Sequence, residues 1–199
     1  MAPHDYAEIR ELEQAFDAIA RDARTLVSGL TADQGVWRPA PGAWSVAECL
    51  DHLASSHRAY LRAMEAAATS ALALGRRRRR PALPGLIGGW FVRTLEPPVK
   101  PHFKMKAPVK AVPRESPALS DASEQFFATH NEARAFLRKY ADIDLAGIRF
   151  ANPFIRGIRF SLATGLHVIA AHERRHLWQA WNVCRAGEQA RGQRRETSA

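Results

Sequence analysis

Cysteine is scarce in this chain: Cys49 and Cys184 are the only two among 199 residues. They lie far apart, each inside a helical pattern, so no disulfide framework is expected and both read as reduced thiols. Long hydrophobic runs are absent too. No stretch approaches the roughly 20 apolar residues that a membrane-spanning helix requires. The first thirty residues are polar and acidic, without the basic and then apolar segments of a secretory leader. The expectation is a reduced, cytoplasmic protein. Internal repeats are missing, and alternating strand patterns nearly so.

What is present suffices for one globular domain spanning 1–199. Hydrophobic residues make up 46% of the chain and charged residues 25%, enough to build a core of ordinary size. The net charge of +9 is unevenly placed. Residues 75–116 hold eleven Lys and Arg against two Glu, whereas the remainder holds eighteen basic and eighteen acidic side chains. The excess therefore lies in one segment beside an electrically neutral body. A nucleic-acid-binding domain spreads its basic footprint over a folded face, so nucleic acid is a disfavoured partner.

Four segments carry helical periodicity. Residues 4–29 place Ile9, Leu12, Phe16, Ile19, Ala20, Ala23, Leu26 and Val27 on one face, and Gly29 supplies a stop. After the turn-rich "TADQGVWRPAPG", Ser45 and Glu48 form a capping box that opens a second helix reaching about Leu74. A third starts after Ser120 and turns Phe126, Phe127, Ala133, Phe136, Leu137 and Tyr140 inward. "DIDLAGIRFANPFIRGIRF" reads as a linker with a short extended piece. The fourth helix runs from near Ser161 to about Ala186, leaving 187–199 as a frayed, disordered tail. Between the second and third helices, residues 75–119 hold eight of the twelve prolines and no sustained helical period. The fold class is all-α: a four-helix bundle with a long, basic, proline-rich connection between helices 2 and 3.

The most chemically specific stretch is His172-Glu173-Arg174-Arg175-His176, which matches the H-E-x-x-H expression of zinc proteases. Histidines four apart share a helix face. At about 100° per residue, Leu162, Leu166, Ile169, Leu177 and Ala180 line one side, with His172 and His176 at its edge and Arg174 and Trp178 opposite. The pair thus faces the interior or a cleft beside it. The plain alternative is chance spacing on a helix surface, but two inward imidazoles need partners. Helix 2 offers His52 and His57. His57 sits in the apolar line of Val46, Leu50, Leu53 and Met64, as a core histidine does. His52 has small neighbours, Ser45, Cys49, Ser56, Ala59 and Ala63, which leave room for a ligand. Spacing favours His52 and leaves both open. A protease is disfavoured, because no third histidine follows the pair and Glu196 lies in a polar tail without apolar residues to place it.

"VWRPAPGAWSVAECLDHL" and "HVIAAHERRHLWQA", with the helix order, resemble the DinB/YfiT-like superfamily in its DinB-like branch. Trp44-Ser45, His52, His172, His176 and Gln179 fall in register, and the likeness covers about residues 5–185. The resemblance implies an up-down-down-up bundle holding one divalent metal, zinc or nickel, on His52, His172 and His176. It implies a hydrolase or thiol S-transferase that acts on a small molecule, with a low-molecular-weight thiol as one candidate. It also makes a homodimer a reasonable expectation. Glu173 is then a candidate general base or a partner of a ligand, and equally a solvated glutamate. Gln179, Cys49 and Ser56 are candidates for the pocket wall. The alternative function is a non-catalytic module that contacts anionic membrane or nucleic acid through Arg76, Arg77, Arg78, Arg79 and Arg80. The competing plain reading of that run is a solvated loop packed over the bundle mouth.

Overall fold

The computed structural model describes residues 6–98 and 112–197, with side chains as far as Gln193. The start of the first expected helix, residues 99–111 of the basic insertion and the last two residues of the tail lie outside the described residues. Within them the chain is mostly helical, in keeping with an all-α class: α1 Ala7–Ser28, α2 Ala32–Val36, α3 Val46–Ala73, α4 Leu86–Leu95, α5 Leu119–Lys139 and α6 Leu162–Thr197. A two-stranded antiparallel sheet, β1 Arg149–Ala151 and β2 Arg159–Ser161, completes it. The four expected helices correspond to α1, α3, α5 and α6.

Local chemistry sets the ends of α3. Its N-terminus carries the full capping box, with the Glu48 amide donating to Ser45 Oγ at 3.2 Å and the Ser45 amide to Glu48 Oε2 at 2.8 Å. Arg38 clamps the same carboxylate with two hydrogen bonds. Burial raises the Glu48 pKa, but these partners outweigh it and hold the carboxyl below its ordinary range. At the other end Gly75 takes a left-handed φ of 65°. The amides of Arg76 and Gly75 then reach back to the carbonyls of Ala71 and Leu72, both at 3.0 Å. That is the Schellman pattern, which only a residue at ease at positive φ closes cheaply.

The apolar faces of α1, α3, α5 and α6 meet in one core that includes Phe16, Leu50, Leu53, Met64, Phe126, Leu137 and Leu166, all fully buried. Burying each such side chain stabilises the fold by about 1.5–3 kcal/mol. Between the helices, Phe16 meets His130, Glu13 pairs with Arg138 and Asp17 with Arg134. Arg58 bonds Gln125, and Glu65 accepts from Lys139 and Tyr140. Met64 packs where Gly165 passes, and Trp181 donates to Asp22.

Three features depart from the sequence reading, and a fourth, the hairpin, gives form to the extended piece expected in the linker. The turn-rich connection contains α2, opened by a capping box between Thr31 and Gln34. The linker after α5 contains the β1–β2 hairpin, whose strands are three residues each, too short to display alternation. Its buried Phe150 and Phe160 pair across the strands, and Asn152 Oδ1 accepts from the Phe154 and Ile155 amides to fix the turn. The basic insertion contains α4, which begins after Pro84-Gly85 and stops before Pro97-Pro98. Two glycines obscured its helical period. Gly88 serves close approach, since a Cβ there would lie 2.5 Å from Thr164 Oγ1 of α6. Finally, α6 continues through Gly187 to Thr197 instead of stopping at Ala186. Gly187 faces the Trp37 ring, where a Cβ would stand 3.4 Å away, so it is a contact glycine and not a stop.

Within the described part of the insertion, α4 packs on the outer side of α6 and against β2. Arg174 forms an ion pair with Glu96, Arg175 donates to the Thr94 carbonyl at 3.3 Å, and Phe91 packs on Phe160.

Candidate metal centre

His52 lies two turns into α3, in a register fixed by the Ser45 cap, and His172 and His176 lie one turn apart on α6. What brings the helices together is a small residue. A Cβ on Gly165 would stand 2.8 Å from Met64 Sδ and 2.9 Å from the Phe150 ring. Two and more turns along the helices from this close approach the three imidazoles converge, with ring centroids 5.0 Å (His52–His172), 4.5 Å (His52–His176) and 4.6 Å (His172–His176) apart. One ring nitrogen from each lies within 4.8 Å of the others, and among the described residues this is the group with that property. Trp44 walls the group, its ring 4.8 Å from His52 and stacked 5.7 Å from His176. His52 and His176 are buried, and His172 is half-buried.

The electrostatics favour neutral rings. Burial, followed by the mutual repulsion of the histidines, pushes His172 and His176 well below the ordinary imidazole pKa. A neutral imidazole is the form that ligates a metal. His52 Nε2 and His172 Nε2 are 3.2 Å apart. Two nitrogens bound tetrahedrally to one zinc at about 2.0–2.1 Å would be about 3.3 Å apart, so the spacing fits. His176 Nδ1 is buried without a hydrogen-bond partner among the described residues, a costly state for a ring that serves packing alone.

Residues 15–180 match the DinB superfamily. The chain belongs to the DinB superfamily. No curated protein and no solved structure matches it. Superfamily membership and the three-histidine cluster together allow a divalent metal site in this DinB protein.

The remaining candidates are distributed as follows. Glu173 is fully buried and turns toward α5, with Oε1 2.9 Å from His130 Nδ1 and 3.6 Å from His57 Nδ1. Burial raises its pKa, and the hydrogen bond and charge of His130 oppose that rise only in part. Gln179 lies beside His176 and opposes the burial that lowers its pKa. Cys49 is completely buried in the core, and burial pushes its thiol pKa far up. Ser56 Oγ, one turn beyond His52, is buried without a hydrogen-bond partner among the described residues. Next to His52, Asp51 accepts from the Arg114 amide at 2.8 Å and from its Nε at 2.7 Å, which docks the returning insertion against α3. Within the arginine run, Arg78 turns inward, stacking 3.8 Å from the Tyr6 ring centroid and pairing with Glu8. Arg80 lies 3.5 Å from Asp144.

Sequence reasoning did not assign Trp44 as a wall of the site or His130 as the partner of Glu173. Trp44 carried a signal, since it immediately precedes the cap that fixes the register of His52. His130 carried none, because a single histidine on an amphipathic helix has no distinguishing spacing.

Proposed function

We propose that this DinB protein is a metal-dependent enzyme, a hydrolase or thiol S-transferase, with one zinc or nickel ion held by His52, His172 and His176. The convergence of three nitrogens within 4.8 Å, from histidines on two helices with His52 and His172 120 positions apart, carries the reading. A divalent cation held there supplies Lewis acidity toward a water or a low-molecular-weight thiol. The chain's own residues do the rest. Three neutral imidazoles add no negative charge, and Trp44 shields His52 and His176 from bulk water. The half-buried edge at His172 is the side from which a small molecule enters. Glu173 is a positioning residue: its carboxylate ties α6 to His130 of α5 one residue away from His172.

The finer architecture belongs to the same reading. His52 meets His172 while Met64 meets Gly165, which supports antiparallel α3 and α6. Glu13 with Arg138 and Asp17 with Arg134 support antiparallel α1 and α5. Arg58 with Gln125 and Glu65 with Lys139 support parallel α3 and α5. Together these give an up-down-down-up four-helix bundle. Cytoplasmic location and a homodimer complete the proposal. No described helix is long and apolar enough to cross a membrane.

Elemental analysis of protein purified without a chelating tag tests the metal. About one zinc or nickel per chain is expected. A folded chain with neither bound metal nor affinity for either ion overturns the proposal. Turnover of ester, amide and thiol-acceptor panels by the loaded protein then separates hydrolase from transferase.

A further inference from the structure

Helix α4 is apolar on both faces. Its inner side packs Gly88 against Thr164, Phe91 against Phe160, and buries Leu95. Its outer side carries Leu86, Trp90 and Arg93, aligned at i, i+4 and i+7, with Ile87 at the edge. Leu86 is 95% exposed, Ile87 79% and Trp90 56%; Leu83, just ahead of the helix, is also exposed. A helix that has already buried one apolar face gains nothing in water from a second. Single exposed leucines need no explanation, but four large apolar side chains within eight residues form a patch that does.

The charge on the helix and just ahead of it in sequence identifies what covers the patch. Arg76, Arg77, Arg79 and Arg93 are exposed and form no ion pair among the described residues, whereas Arg78 is consumed by Glu8 and Tyr6. This segment also holds the chain's entire positive excess. We infer that the α4 face with its flanking arginines is a peripheral docking surface for an anionic lipid bilayer. Leucine, isoleucine and tryptophan enter the interfacial layer while the arginines contact lipid phosphates. Each component alone fits less well. Nucleic acid would use the arginines but leave Leu86 and Ile87 in water, since backbone phosphates give apolar side chains nothing to bury against. A second copy docked face to face would set one arginine cluster against another, a repulsive arrangement in a twofold contact. A bilayer rich in anionic lipid satisfies both halves of the patch, because two weak signals, apolar insertion and a basic cluster, combine to give stable attachment. The surface uses no residue of the three-histidine group, so its test does not depend on the metal proposal.

Co-sedimentation of the full-length protein with vesicles of phosphatidylcholine alone, or mixed with phosphatidylglycerol, tests the inference. Binding to the mixed vesicles and not to the neutral ones is expected, weakening as salt rises. Leu86→Ser with Ile87→Ser should reduce that binding by about tenfold or more, and Arg76→Glu with Arg79→Glu should abolish it. Unchanged circular dichroism shows that both variants are folded, since every substituted side chain is exposed. Failure of the wild type to bind mixed vesicles overturns the inference. So does binding that is indifferent to Leu86 and Ile87, or retention on duplex DNA that exceeds retention on vesicles. A dimer in solution that dissociates on Leu86→Ser also overturns it, by assigning the face to a second copy.

Discussion

Glu173 Oε1 lies 2.9 Å from His130 Nδ1, and both side chains are completely removed from solvent. The contact joins α5 to α6 immediately beside a histidine of the candidate metal centre. A buried pair of this kind is asymmetric in its energetics: making it contributes little net, while removing one partner strands the other.

Glu173→Ala or His130→Ala should therefore each cost about 3–5 kcal/mol of unfolding free energy. The double variant should cost less than the sum by at least about 1 kcal/mol, because the second substitution removes a group that is already stranded. Urea denaturation of the four proteins measures this coupling. Additive losses would show that the two residues act separately.

His57 predicts a pH dependence. Burial, with the neighbouring His130 and His52, drives its pKa down from 6.5 to about 3. The unfolded chain thus takes up a proton that the folded chain refuses. Its contribution to stability is complete above the unfolded value and is lost as pH falls from about 6.5 toward 3. The loss approaches about 1.4 kcal/mol per pH unit within that window. His57→Leu should flatten the acid limb of the melting-temperature profile there and leave the alkaline limb unchanged.

Removing a candidate ligand should uncouple stability from metal. Zinc at about a hundredfold excess over its dissociation constant stabilises a folded binder by about 2.7 kcal/mol. In a chain of this size that corresponds to a rise of about 5–10 °C in melting temperature. His52→Ala should remain folded and lose the response. An equal zinc-induced shift in His52→Ala would remove His52 from the ligand set.

Gly165→Ala is a small change with a large expected effect. The added methyl would meet Met64 Sδ at 2.8 Å and the Phe150 ring at 2.9 Å, both from buried side chains. Overpacking of this kind costs about 1–3 kcal/mol. Because the same contact sets the spacing of α3 and α6, metal affinity should fall with stability. Calorimetric titration with zinc, alongside a thermal melt, measures both. A loss of stability at unchanged affinity would place the spacing of the histidines under other control.

Local signals dominated what was legible. Ser45 with Glu48 marked the start of α3 to the residue, because a capping box is encoded within four positions. The buried face of α1 followed its periodicity from Ile9 to Leu26. Helix α4 escaped notice because Gly88 and Gly89 are poor helix formers in isolation, and the reason for Gly88 is a close approach of α6 that no local pattern reveals. Gly187 misled for the same reason, since its role is a contact with Trp37 that no local pattern reveals.

The sequence by itself determined that His172 and His176 share a helix face, because a spacing of four residues fixes that geometry wherever the helix sits. It also determined the small residues around His52 and the confinement of surplus charge to one segment. Only the tertiary structure decided that His52 meets the pair across 120 positions, and that Glu173 turns from them toward His130. It also decided that α4 leaves an apolar face uncovered. These outcomes depend on how closely two helices pack and which face each presents, a matter of side-chain volumes such as that missing at Gly165, summed over contacts distant in sequence.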